Sequence, residues 1–296
     1  MENHTDGFDA QRVELEPGPI HYLEAGTGEP IVFVHGFGAN GRLWTETAAA
    51  LAETHRCIVP DWPLGSHSEA MSPSADLTPR GVSRLISEFL AALDLDGVTL
   101  VGNDSGGAVL QILVTEVPDR VGRLVLTNCD CFEKFPPQPF KSMFKAAQAP
   151  GGAIALARSL QVSAIRRGPL GYGSLTDEPM DEEVLRSFVD PLAKDAGVRR
   201  DGMRFAGGAD SRDTLAAAAK LPRLEIPALL AWGVDDPFFT LEDARRLADL
   251  IPDSKLVEIP GAKTFTSLDK PIEVADAIGA FVAERPLKGP AAATRP

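Results

Sequence analysis

The chain has 296 residues, 44% hydrophobic and 24% charged, a globular composition long enough for one large domain or a domain with an inserted lobe. Its 29 Lys and Arg against 42 Asp and Glu leave a net charge of −13, so nucleic acid and a membrane surface are unexpected partners. No stretch reaches the roughly 18 apolar residues of a membrane span, and the polar start MENHTDGFDAQ does not read as a secretory signal, so a cytoplasmic location is expected.

In chain order, Gln11 to Leu15 and Ile20 to Glu24 read as short strands separated by Glu16-Pro17-Gly18-Pro19, and the apolar run Ile31 to Val34 as a buried strand. A helix near Leu43 to Ala52 and a strand Arg56 to Val59 follow. Thr78 and Pro79 open a helix whose apolar residues, Val82 to Leu93, recur at helical spacing. Strand Gly97 to Val101, the apolar helix Ala108 to Val117 and strand Val121 to Thr127 continue the alternation, which predicts a mostly parallel sheet of eight strands with helices on both faces. From residue 129 to 221 the pattern breaks into short amphipathic stretches, an inserted helical cap between core segments 1–128 and 222–296. The core resumes with strand Ala228 to Trp232, a helix opened by the Thr240 and Asp243 capping box, strand Leu256 to Ile259 and helix Ile272 to Val282. Residues 285–296 read as a disordered tail.

Two residue counts narrow the chemistry. The five histidines stand at 4, 21, 35, 55 and 67, so no C-terminal histidine is available as a base. Cys57, Cys129 and Cys131 lack the further ligands of a zinc site and read as reduced thiols; no metal and no cofactor is expected.

Strand, sharp turn and helix meet at Val101-Gly102-Asn103-Asp104-Ser105-Gly106-Gly107. Small residues two before and two after a central residue permit a strained turn that lifts the central side chain above the sheet, and here that residue is Asp104. Shifting the register by one would make Ser105 central, with Asn103 in the tight glycine position. With the His35-Gly36-Phe37-Gly38 turn, the lobe and Gly233-Val234-Asp235-Asp236 in this order, the chain resembles the α/β-hydrolase fold superfamily over nearly its whole length. An aspartate at the elbow resembles the haloalkane dehalogenase and epoxide hydrolase branch. The resemblance implies Asp104 as a nucleophile forming an alkyl ester, the N–H groups of Phe37 and Ser105 as an oxyanion hole, and Asp236 as the acid partner, with Asp235, Asp130 and Glu133 as alternatives.

The catalytic histidine of that branch would fall at Thr264, and a threonine cannot be a general base near neutral pH. Three readings remain open: His67 replaces the base; Asp104 is a buried acid or base for a lyase, isomerase or cyclase; or the chain is a catalytically silent ligand-binding protein. Lobe phenylalanines and methionines, Phe132 and Phe135 among them, imply an apolar roof and a small hydrophobic ligand. His35, Phe132, Phe135 and the lobe's one tyrosine, Tyr172, are possible substrate contacts. Dehalogenases place a halide-holding tryptophan directly after the nucleophile, whereas Ser105 stands there. The chain is expected to be a monomer or homodimer.

Overall fold

A computed structural model describes residues 7–287; His4 and residues 288–296 lie outside the described residues, while the start of the expected disordered tail is ordered, Arg285 pairing with Asp253 and its carbonyl accepting from Arg123. The strands are β1 (Asp9–Leu15), β2 (Gly18–Ala25), β3 (Pro30–Val34), β4 (Arg56–Pro60), β5 (Val98–Asp104), β6 (Val121–Cys129), β7 (Ala228–Gly233) and β8 (Ser254–Ile259). They form one eight-stranded sheet in the order β1-β2-β4-β3-β5-β6-β7-β8. Only β1 with β2 and β2 with β4 pair antiparallel, so the expected mostly parallel sheet is what the chain forms.

The helices are α1 (Thr45–Leu51), α2 (Pro79–Ala92), α3 (Ser105–Glu116), α4 (Phe140–Ala147), α5 (Gly152–Ser159), α6 (Ser163–Arg166), α7 (Glu182–Lys194), α8 (Ala196–Gly208), α9 (Ser211–Ala218), α10 (Leu241–Leu250), α11 (Thr266–Asp269) and α12 (Pro271–Glu284). Alternate side chains of a strand face opposite sides of a sheet. Accordingly Ile31 and Phe33 pack with α1 and α12 residues such as Leu51 and Phe281, while Val32 and Val34 pack with Val82, Ile86 and Val109 of α2 and α3. Thr78 caps α2 with Pro79 in its first turn, and the Thr240–Asp243 capping box opens α10. Helices α4 to α9 lie between β6 and β7 and carry no strand of the sheet.

Packing is close under the start of α3. A Cβ on Gly106 would meet the His35 carbonyl oxygen at 2.5 Å, and one on Gly107 would meet the Cys129 Cβ at 2.4 Å. Glycine at both positions lets α3 lie against the ends of β3 and β6, which brings their carboxyl ends to Asp104 at the end of β5. In open parallel sheets such strand ends form the ligand crevice. Because the obstacle at Gly106 is backbone, Gly106→Ala should destabilise the protein by about 1–3 kcal/mol. Chemical denaturation checks this; an unchanged midpoint would show that the turn has room to move.

Candidate active site

Asp104 closes β5 and sits at the N-cap of α3 with φ of 52° and ψ of −135°. A non-glycine residue with positive φ is strained and persists only where the surroundings hold it. Here the Ser105 N–H donates to Asp104 Oδ1 at 2.5 Å, and Gly36 leaves the space against the Asp104 side chain, since a Cβ there would stand 2.6 Å from Asp104 Cβ. The elbow therefore depends on a glycine from the facing turn as well as on its own.

The other strand ends converge on the same place. The Asp104 carbonyl accepts from the N–H of Asp130, the residue after β6, at 3.3 Å. The Asp104 and Asp130 side chains are close enough to influence each other's ionisation, Asp130 lowering the Asp104 carboxyl and Asp104 raising that of Asp130. Asp130 is buried, and its Oδ1 accepts from no N–H or O–H group among the described residues. Burial first, and then the Asp104 charge, push its carboxyl well above the usual range, which favours the neutral form of Asp130. Burial also raises Asp104, against the Ser105 N–H and Asp130, which pull it down.

Asp236, after β7, accepts from the N–H groups of Phe238 at 2.8 Å and Phe239 at 3.2 Å, and from Asn128 Nδ2 at 3.0 Å. Burial carries it up to about 6 despite these donors. Thr264, after β8, points its hydroxyl toward Asp236, which lowers that carboxyl somewhat, yet the hydroxyl makes no well-formed hydrogen bond. The Thr264 carbonyl accepts from Asn103 Nδ2 at 2.6 Å, so a side chain beside Asp104 fixes the loop in which a histidine was expected.

The cavity above these residues is lined by Asp104, Ser105, Asp130, Tyr172 and Thr264 among otherwise apolar groups that include Phe37 and Phe135. No side chain with a nitrogen lines it. The Phe37 N–H donates to Ser105 Oγ at 2.7 Å, and the Ser105 N–H is engaged by Asp104. Both expected oxyanion donors thus converge on the elbow, with the serine hydroxyl occupying one of them. Tyr172 donates its phenol to the Gly38 carbonyl at 2.5 Å, and burial pushes that phenol up, so it is a proton donor committed to the backbone.

Other expected site residues lie elsewhere. His67 is not among the cavity residues; it borders a shallow groove with Asn40 and Asp190, and its Nε2 stands 3.4 Å from Asp201 of α8, whose Oδ2 also accepts the Met71 N–H at 2.7 Å. The structure does not bring His67 to Asp104, because the loop after β4 is tied to the cap instead. His35 is buried below the turn: its Nδ1 bonds the Gly36 carbonyl at 2.9 Å and its Nε2 accepts the Trp62 N–H at 2.9 Å. Burial lowers it to about 4, so it is a neutral structural imidazole. Phe132 is buried under the Arg246 guanidinium, 3.7 Å from its ring centroid, and does not line the cavity. Glu133 is exposed and paired with Arg246, and Asp235 accepts the Gly261 N–H; neither faces Asp104. The sequence pattern offers Asp130 only as an alternative acid and carries no signal for Asn128, whose amide joins β6 to Gly233, Asp236 and Thr266.

Comparison with known proteins agrees with the fold. Residues 29–271 match the family described as the alpha/beta hydrolase fold. Haloalkane dehalogenase 2 of Mycobacterium tuberculosis is 30% identical over 281 residues, covering 92% of this chain and 94% of that protein. A cis-3-alkyl-4-alkyloxetan-2-one decarboxylase of Shewanella oneidensis is 25% identical, covering 90% and 85%. Among solved structures, the epoxide hydrolase CorEH is similar in fold with a TM-score of 0.78 at 21% identity, covering 94% of this chain and 99% of that one.

A carboxyl raised in the folded state favours folding while it is neutral, and that contribution is lost as pH rises through its folded pKa. Asp130→Asn removes one such group and leaves Asp104 an amide in place of a carboxyl partner. Relative to wild type, its melting temperature should be higher at pH 8 than at pH 4 by roughly 2–4 °C. A difference independent of pH, read by scanning calorimetry, would mean that Asp130 is not held protonated.

Proposed function

The chain belongs to the α/β-hydrolase fold family, and from that premise we propose that it hydrolyses small, neutral, hydrophobic molecules through a covalent ester on Asp104, opening a strained oxygen ring such as an epoxide. The observation that carries this reading is the pair of neighbouring carboxyls, Asp104 and Asp130, lining an otherwise apolar cavity, with the Asp130 N–H on the Asp104 carbonyl at 3.3 Å. A carboxylate attacks an sp3 carbon without a base to deprotonate it. As Asp104 bonds to carbon, one ring C–O bond breaks, its electron pair stays on oxygen, and that oxygen takes the Asp130 proton. The products of this step are an alkyl ester on Asp104 and a carboxylate at Asp130.

Asp130 then stands as the base that Thr264 cannot be. A water gives it a proton and adds to the ester carbonyl, whose developing negative oxygen is met by the Ser105 N–H. Collapse breaks the ester C–O bond, and the departing alkoxide takes the proton back from Asp130. Asp104 is left as the acid, and the single proton returns to the pair. A halide would leave without a proton, so Asp130 would stay protonated, and the cavity offers halide no side-chain N–H. That favours an oxygen leaving group over a halogen.

A second reading is a lyase, isomerase or cyclase that uses the pair for proton transfer alone; Thr264 in the histidine's place and the relative named a decarboxylase favour it. Incubation with styrene oxide, followed by product analysis and intact-mass spectrometry, separates the readings. Expected are diol release, no adduct on Asp104→Asn, and a turnover loss of about 10²-fold or more in Asp130→Asn. Diol formation by Asp104→Asn would overturn the nucleophile; an isomerised product without diol would favour the second reading; binding without product would leave a ligand-binding protein. With the pair intact, the rate should rise with pH as its first proton leaves and fall as the second does. A flat pH profile would contradict the acid role of Asp130.

A further inference from the structure

The net charge of −13 conceals a segment of opposite sign. Residues 134–176 contain six Lys and Arg and no Asp or Glu, so this stretch carries +6 and the remainder of the chain −19. It comprises the loop before α4, helices α4, α5 and α6, and the turn that ends at Thr176, and it forms most of the cavity roof. Three of the six cations are committed: Lys134 pairs with Asp243, and Arg166 and Arg167 pair with Glu182. Lys141, Lys145 and Arg158 are exposed and form no salt bridge among the described residues.

The same segment carries four of the six large hydrophobic residues exposed among the described residues: Ile154, Val162, Ile165 and Leu170. Residues three or four apart share a helix face. Lys141 and Lys145 are thus neighbours on α4, as are Ile154 and Arg158 on α5, and all four are exposed, whereas Phe144 is buried, Leu156 is half-buried and both line the cavity. Leu170 is 61% exposed and also lines the cavity, so the mouth opens on this face. Isolated exposed apolar residues are ordinary, but four of them in one segment of +6 charge, with Leu170 among them reaching the cavity, match the composition of a surface that lies in a lipid interface.

We propose that the α4–α6 face of the cap docks on an anionic phospholipid surface, with Ile154 and Ile165 in the headgroup boundary and Lys141, Lys145 and Arg158 on the lipid phosphates, so that hydrophobic molecules dissolved in the bilayer enter the cavity directly. The acidic remainder of the molecule is repelled by the same surface and orients the cap toward it. The proposal is independent of the chemistry at Asp104, because it concerns which surface the cavity mouth meets.

Co-sedimentation of the full chain with phosphatidylcholine vesicles, with and without phosphatidylserine, tests this. Binding is expected only to vesicles containing phosphatidylserine and should weaken as salt is raised. Each charge removed, as in Lys141→Gln or Arg158→Gln, should weaken partitioning about fivefold. Ile154→Ser with Ile165→Ser should weaken it further, whereas Ile272→Ser, a 54% exposed residue on α12, should leave it unchanged. Circular dichroism melts confirm that each variant is folded. No binding to phosphatidylserine vesicles at low salt would overturn the proposal and would leave the basic face to an acidic soluble protein. Equal loss in Ile272→Ser would overturn the assignment of the face.

Discussion

Two carboxyl groups at the ends of neighbouring strands, Asp104 and Asp130, face one cavity that no cationic side chain enters, and a third, Asp236, stands close enough to raise both electrostatically. Like charges ~4 Å apart at an effective dielectric of ~20 repel by about 4 kcal/mol, before the cost of taking each from water. A proton on the pair relieves that repulsion, and the features around the pair keep it in place. Gly36, Gly106 and Gly107 let three strand ends and a helix meet without side chains between them. The Ser105 N–H meets one oxygen of Asp104 and stabilises its ionised form, while Asp130, with an Oδ1 that no N–H reaches, is left as the natural holder of the proton.

The network behind the pair explains how a site without the usual histidine stays ordered. Asn103 donates to Thr127, Asn128 and Thr264, tying the elbow strand to β6 and to the loop after β8. Asn128 in turn holds Gly233, Asp236 and Thr266. Each amide satisfies buried backbone groups that would otherwise be costly to leave unpaired. Together they fix Thr264 beside Asp236, so this end of the site serves to position carboxyls and has no group of its own to activate water.

The elbow, the cap and the order of strand and helix were legible in the sequence because they are local: glycine spacing, a capping box and apolar periodicity act within a few residues of the chain. The roles of His67, Phe132 and Asp130 were not, because they depend on where separate loops land. His67 lies in the loop that such a base would need, but Asp201, 134 residues away, draws it to the cap. Phe132 is an aromatic residue in the right segment, and Arg246 covers its ring. Asp130 follows β6 directly, and only parallel pairing with β5 in the register Asp104 to Cys129 puts it at the elbow. The charge asymmetry of the cap was countable from the start, but a whole-chain sum hides it; which of its cations are paired becomes visible only in the fold.

The proposed mechanism requires that Asp130 keep a proton at neutral pH while Asp104 is ionised. Infrared difference spectroscopy of wild type against Asp130→Asn reads this without substrate, because a protonated carboxyl and a carboxylate absorb in separate regions. The expected result is a protonated-carboxyl band in wild type at pH 7 that is absent from Asp130→Asn. Its absence from wild type, with both groups appearing as carboxylates, would contradict the shared proton and with it the roles of acid and base assigned to Asp130.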